Sequence, residues 1–161
     1  MIRSFRPDDI EEVHEIYSDS LVWRYMGTGP TTTIEQSRER LDRMLRYERQ
    51  YGFTFWAVEH VDSGKLIGDT GLIPLEGIGP DVELGYRFGS AHWGKGYATE
   101  AAIVCRDLGF SRYALKQIYV DVHPGNKGSQ NVARKLGARK LGRAKHRGFD
   151  VIRFVIARPA A

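Results

Sequence analysis

Apolar residues at Ile10, Val13, Tyr17 and Leu21 recur at intervals of three and four, the spacing that lays one buried stripe along an α-helix. A short strand, Ile2 to Phe5, precedes it. A second helix is predicted from Ile34, Leu41 and Leu45, opened by a capping box at Thr33 and Gln36 and broken at Gly52. The period then shortens. Phe53 to His60 is aromatic and β-branched, Asp62-Ser63-Gly64 turns, and Lys65 to Ile73 returns, which reads as a hairpin. Val82 to Phe88 is a fourth strand. An apolar helical run from about Tyr97 buries Ala98, Ala101, Ala102, Cys105 and Leu108, and Gln117 to Val122 is a fifth strand closed by His123-Pro124-Gly125-Asn126. Ser129 is a natural N-cap for a short helix with Val132, Ala133 and Leu136, stopped by Gly137. Arg139 to Lys145, a turn at Arg147 to Asp150, and Val151 to Ala157 complete a β-α-α-β-β-β-α-β-α-β-β order. That order implies an α/β fold built on a mixed sheet of about seven strands with about four helices. No repeat or linker divides residues 1–161, so one domain is expected.

Composition narrows the class without naming a chemistry. With 42% hydrophobic and 27% charged residues the chain is of the ordinary globular kind rather than disordered. The start, Met1 to Pro7, has no apolar leader, and no apolar run approaches the roughly 18 residues of a membrane span, so a cytoplasmic location without membrane contact is expected. The single cysteine, Cys105, excludes an internal disulfide and reads as a small core residue. The five histidines lack paired ligand spacing, so no metal is expected. The net charge of +4 is uneven: Asp8, Asp9, Glu11, Glu12 and Glu15 crowd the first helix, while Arg134 to Arg158 is strongly basic. Such a field either attracts a polyanion or is a solvated face.

The candidate chemistry lies in Trp93-Gly94-Lys95-Gly96-Tyr97-Ala98-Thr99-Glu100-Ala101. Two residues without Cβ atoms let the chain turn sharply between a strand and a helix. The helix start then adds unpaired N–H groups and a positive dipole end, the makings of a phosphate or pyrophosphate cradle. A tight turn with no ligand would read the same way.

These residues, in this element order, resemble the GNAT superfamily of acyl-CoA-dependent N-acyltransferases over nearly the whole chain. The family's pyrophosphate loop, Gln/Arg-x-x-Gly-x-Gly/Ala, is matched except at its first position, where Trp93 stands. The block Asn126-Lys127-Gly128-Ser129-Gln130-Asn131-Val132-Ala133-Arg134-Lys135-Leu136-Gly137-Ala138 is similar to the Asn-x-x-Ser-x-x-Val-x-x-Lys-Leu-Gly block of the RimJ/RimL-type ribosomal-protein alanine N-acetyltransferases. Gly94-Lys95-Gly96 completes neither a dinucleotide-binding nor a P-loop signature.

The resemblance implies acetyl-CoA as cosubstrate. Backbone N–H groups of Gly94, Lys95, Gly96, Tyr97, Ala98 and Thr99 would hold its pyrophosphate, with Lys95 either on phosphate or in solvent, and Trp93 either over the cofactor or plugging the core. It also implies that the sheet splays between strands four and five, where backbone around Tyr86 and Phe88 would pair with pantetheine and offer the thioester a donor. Glu83 would be the general base, or else a strand carboxylate facing solvent or an arginine; His123 and Asp121 are weaker alternatives. The family's usual acid, a tyrosine, is replaced by Ala133, which leaves Ser129 to donate to sulfur or merely to cap its helix. Asn126 would bond pantetheine or serve the turn. Trp23, Tyr25, Trp56, Asp69 and the Arg147 to Asp150 turn would line the acceptor entrance.

The implied reaction is acetyl transfer to a primary amine, either a small molecule or a protein N-terminus, with a ribosomal protein among the acceptors to consider. Two other classes stay open: a CoA-binding module without catalysis, suggested by Ala133, and a ribosome- or RNA-associated protein, suggested by the basic end. Nucleic acid is the weaker expectation, since no aromatic stacking platform accompanies the basic residues. A monomer or homodimer is expected.

Overall fold

The computed structural model describes residues 1–160. Its strands are β1 (Ile2–Arg3), β2 (Phe55–Glu59), β3 (Leu66–Pro74), β4 (Val82–Phe88), β5 (Gln117–Val122), β6 (Arg139–His146) and β7 (Phe149–Ala157). The helices are α1 (Ile10–Ser18), α2 (Ser20–Trp23), α3 (Ile34–Tyr51), α4 (Tyr97–Ser111) and α5 (Lys127–Lys135). One sheet runs in the order β1-β2-β3-β4-β5-β7-β6. Every neighbouring pair is antiparallel except β4 and β5, which are parallel and joined at a single rung, Glu83 opposite Tyr119. The expected splay is therefore present.

Side chains alternate across a strand, so each strand feeds two cores. Trp56, Leu72, Val82, Leu84, Ile118, Val120 and Phe154 pack with Ala102, Cys105 and Phe110 of α4 and Ala133 of α5. Phe55, Ala57 and Ile73 point the other way, against Val13, Ile16 and Tyr17 of α1, Trp23 of α2, and Leu41 and Met44 of α3. By the same alternation Glu83 and Arg87 on β4, and Asp121 on β5, emerge on the face that carries α1 to α3.

Four sequence expectations change. The first helix stops at Ser18 because Asp19 caps a separate α2, accepting from the Leu21 N–H at 2.9 Å; Leu21 is left half exposed rather than buried. The described residues thus hold five α-helices. Strand β1 ends at Arg3, and Phe5 lies in the core beyond it. Thr33 does cap α3, but Gln36 reaches back to the Thr32 N–H, one residue before the reciprocal partner a capping box requires. Ser129 is not an N-cap: Asn126 is, its Oδ1 accepting from the Ser129 N–H at 3.0 Å. The polar residue that starts the helix lies three residues upstream of the one the block suggested.

Candidate active site

The glycine segment folds as a loop between β4 and α4. Gly94 and Gly96 have φ of 74° and 85°, a region that disfavours any side chain, and a Cβ at either would meet no protein atom within 4 Å. The space over the loop is open. Gly96 is the N-cap of α4 and brings no side-chain cap, so the first amides of a 15-residue helix are left without one. That exposed array of donors fits an anion. Lys95 is exposed and its Nζ donates to the Ala91 carbonyl at 3.2 Å. Trp93 is no core plug: it is 51% exposed, and its Nε1 donates to the Phe88 carbonyl at 2.7 Å, pinning the loop to the end of β4. Tyr97, Ala98 and Thr99 form the first turn of α4 and are half-buried.

The fork between β4 and β5 opens beyond Glu83. It is spanned by the Tyr86 hydroxyl, which donates to the Ser129 carbonyl at 2.9 Å and ties β4 to α5. Ser129 and Asn126 both border a cavity of about 730 Å³ that is lined from the α1–α3 face of the sheet and, through the fork, by Tyr86 and α5 from the other face.

Three titratable groups meet on the floor of that cavity. His146 Nδ1, from the end of β6, lies 3.1 Å from Asp121 Oδ2 and 3.3 Å from Glu83 Oε2. The imidazole is aligned with Asp121 and not with Glu83, whose Oε2 is buried without a hydrogen-bond partner. Burial pushes the Glu83 carboxyl up to about 7; the neighbouring His146 charge opposes that rise and Asp121 adds to it. His146 is raised above its ordinary range, chiefly by its hydrogen bond to Asp121. Burial also pushes Asp121 up, but hydrogen bonds from Arg153 and His146 outweigh it and keep that carboxylate below its usual range. Asp121 is thus the committed anion and Glu83 the one poised near neutrality. The three could be taken for a metal site, since one donor atom from each lies within 4.8 Å of the others. Their chemistry does not fit: both Asp121 oxygens already accept from Arg153, at 2.8 and 2.7 Å, so a guanidinium supplies the positive charge there.

Of the expected acceptor lining, Trp23, Tyr25, Arg147, Phe149 and Asp150 do border the cavity. Trp56 and Asp69 do not. Trp56 points into the core on the opposite face, and Asp69 is 1% exposed, accepting from the Tyr17 hydroxyl at 2.7 Å and from Arg87 Nε at 3.0 Å. Phe149, at the β6–β7 turn, lies so close over Gly27 that a Cβ there would strike its ring. The final hairpin thereby touches the segment after α2 and roofs the cavity. His123 stacks on Tyr25 with centroids 5.2 Å apart, and its Nδ1 accepts from the Gly125 N–H; it serves the wall and the turn. Sequence reasoning missed His146, Arg153 and Arg40 in this site. Only pairing of β5 with β7, and of β7 with β6, brings the first two beside Asp121, and no local motif announces that.

Comparison with known proteins agrees with the fold. Residues 1–139 match the acetyltransferase (GNAT) domain family. The chain is 39% identical over 103 residues to the uncharacterized protein YkkB of Bacillus subtilis, a match covering 63% of this chain and 60% of that one. It is 28% identical to the uncharacterized N-acetyltransferase p20 of Bacillus licheniformis, across 95% of this chain and 89% of that one. A GNAT-family acetyltransferase structure from Bacillus anthracis superposes with a TM-score of 0.83 at 28% identity, covering 97% and 93% of the two chains. At 21% identity the fold alone is shared with a spermidine N-acetyltransferase from Vibrio cholerae in complex with CoA and spermine (TM-score 0.80, 98% and 94% covered).

Proposed function

The chain belongs to the GNAT acetyltransferase family, and from that premise we propose that it moves the acetyl group of acetyl-CoA to a primary amine by direct attack on the thioester. The observation that carries this reading is the buried Glu83 carboxylate with a free oxygen, set at the fork of β4 and β5 on the floor of the cavity. The cofactor reading rests on the uncapped start of α4 behind Gly94 and Gly96, and on CoA in the Vibrio cholerae structure that shares this fold. Acetyl-CoA supplies the activated acyl group. Backbone of Gly94, Lys95, Gly96, Tyr97, Ala98 and Thr99 binds its pyrophosphate, and Asn126 with the open edge of β4 around Tyr86 and Phe88 orients the pantetheine arm. The two motifs support placement in the RimJ/RimL-like branch.

An ammonium enters the cavity and loses a proton to Glu83, directly or through water. The neutral nitrogen then forms a bond to the carbonyl carbon, the C–S bond breaks, and the thiolate takes a proton. A base near pH 7 suits this, because the best general base has a pKa close to the working pH. The backbone donor at the fork stabilises the developing oxyanion, usually the largest electrostatic contribution in acyl transfer. Ser129, beside the fork, is the candidate proton donor to sulfur.

The test is thiol release from acetyl-CoA with a panel of amines and N-terminal peptides, with products read by mass spectrometry. Amine-dependent release with an N-acetyl product is expected. CoA binding without release under any acceptor would instead make the chain a binding module.

A further inference from the structure

The cavity lining carries charge of both signs. At the fork stand Glu83 and Asp121. On α3 the lining carries Arg40 and Arg43, three residues apart and so on one side of the helix, with the exposed Glu39 beside them, and Arg87 of β4 lines the same cavity. Arg87 is neutralised by Asp69 at 3.0 Å. Among the described residues no carboxylate lies within 4.0 Å of either Arg40 or Arg43. Arg147, in the roof, adds a further positive charge to the lining, whereas Asp150 is spoken for by Lys145 at 2.8 Å.

Arg40 is fixed in place. Its guanidinium stacks over the Trp23 ring at 4.0 Å, and its Nη2 donates to the Gly29 carbonyl at 2.9 Å. Its Nη1 is buried with no partner, and so is the indole Nε1 of Trp23, a side chain only 5% exposed. Two orphaned donors in one wall are an anomaly, since a buried donor without an acceptor bears its full desolvation penalty. Burial, and then the like charges of Arg87 and Arg43, press the Arg40 guanidinium below its ordinary range. A planar fork of donors crowded by other cations and lacking a counter-ion is suited to an oxyanion.

Resting on the acetyltransferase reading, we propose that the acceptor is an amine whose other end bears a carboxylate or phosphate, held by Arg40 with Arg43 and Trp23 while its nitrogen meets Glu83. The same charges disfavour a polyamine, whose second cationic end would face the guanidinium groups.

The experiment compares amines of matched length in the thiol-release assay: an ω-amino carboxylate, an aminoalkyl phosphate, the uncharged aminoalcohol, and spermidine. The anionic amines are expected to exceed the aminoalcohol in kcat/KM by about 10- to 100-fold, the worth of one charge-assisted hydrogen bond. Whichever of carboxylate and phosphate is preferred identifies the anion. Arg40→Met, which keeps a long apolar stem over Trp23, should collapse that ratio through KM, and Arg40→Lys should restore part of it. Arg43→Gln gives an independent reading should Arg40→Met fold poorly, as judged by circular dichroism. Release that is equal or faster with the aminoalcohol or spermidine overturns this inference and leaves the acetyltransferase reading intact. No release with any of these amines or with the N-terminal peptides, while CoA still binds, overturns both.

Discussion

The cofactor loop and the acceptor cavity are built in different ways. The loop is nine consecutive residues, Trp93 to Ala101, whose working parts are backbone amides and whose requirement is a pair of residues that tolerate positive φ. The cavity is assembled from side chains of α2, α3, β4, β5 and the β6–β7 hairpin, and its charged floor joins residues as far apart as Glu83 and His146. A backbone site is written locally and tolerates most side-chain changes. A side-chain site is written across the topology, and each member can be altered without disturbing the others' elements. The first can be shared widely in a family while the second diverges.

The largest effect separating the two should come from Glu83→Gln. It removes the proposed base and leaves the loop untouched, so kcat should fall by about 10- to 1000-fold with acetyl-CoA affinity nearly unchanged. The wild-type rate should rise with pH through a midpoint set by the Glu83 carboxyl near 7, and that limb should vanish in the variant. Stability provides the opposite sign. Because the folded-state pKa of Glu83 is raised, burial favours the protonated form, and the stability it allows is lost as pH rises through about 7. Glu83→Gln should therefore melt higher than wild type above neutral pH. A full rate at every pH would dismiss Glu83 as the base.

Gly96→Val should show the converse pattern, weakening acetyl-CoA binding by about tenfold or more in calorimetry. A β-branched residue is strained at the φ of 85°, and left-handed backbone costs an ordinary residue roughly 1–2 kcal/mol. Gly96→Ala is the sharper control, since its Cβ meets no protein atom and any further loss reports the ligand's approach. Equal affinity in all three folded proteins would place the cradle elsewhere.

The smallest effect is expected at the seam. Because Asn126, not Ser129, caps α5, Ser129→Ala leaves the cap in place, and a several-fold fall in kcat with an unchanged melting temperature would mark Ser129 as a donor to sulfur. Asn126→Ala, by contrast, removes the cap at a cost of about 1 kcal/mol. An unaltered rate in Ser129→Ala leaves protonation of the thiolate to water.

The same division explains what the sequence disclosed. The order of elements along the chain and the glycine loop follow from period and turn residues, which are short-range signals, whereas the splay is legible only as what the resemblance carried by the two motifs implies. Glu83 could be singled out because the resemblance implies a carboxylate at that place on β4; alternation alone allows it equally to face solvent. His146 could not be, since its role depends on β6 lying at the sheet edge beside β7 and on a turn that folds it over β5. Asp69 looked available for substrate because nothing local reveals that Tyr17 and Arg87 enclose it. Trp93 misled in the other direction, a large apolar ring whose indole N–H serves as a surface clasp.

The lone rung between Glu83 and Tyr119 has a mechanical meaning. Seen as a zipper, the sheet is fastened along every seam but one, and that seam stops at the residue proposed to take the proton. Beyond it, the halves of the sheet are joined by the core they share with α4 and α5 and by the Tyr86 clasp, with backbone groups along the fork left for a guest strand. An extended ligand lying there would complete the seam, and amide exchange along the open edges of β4 and β5 should slow when it does.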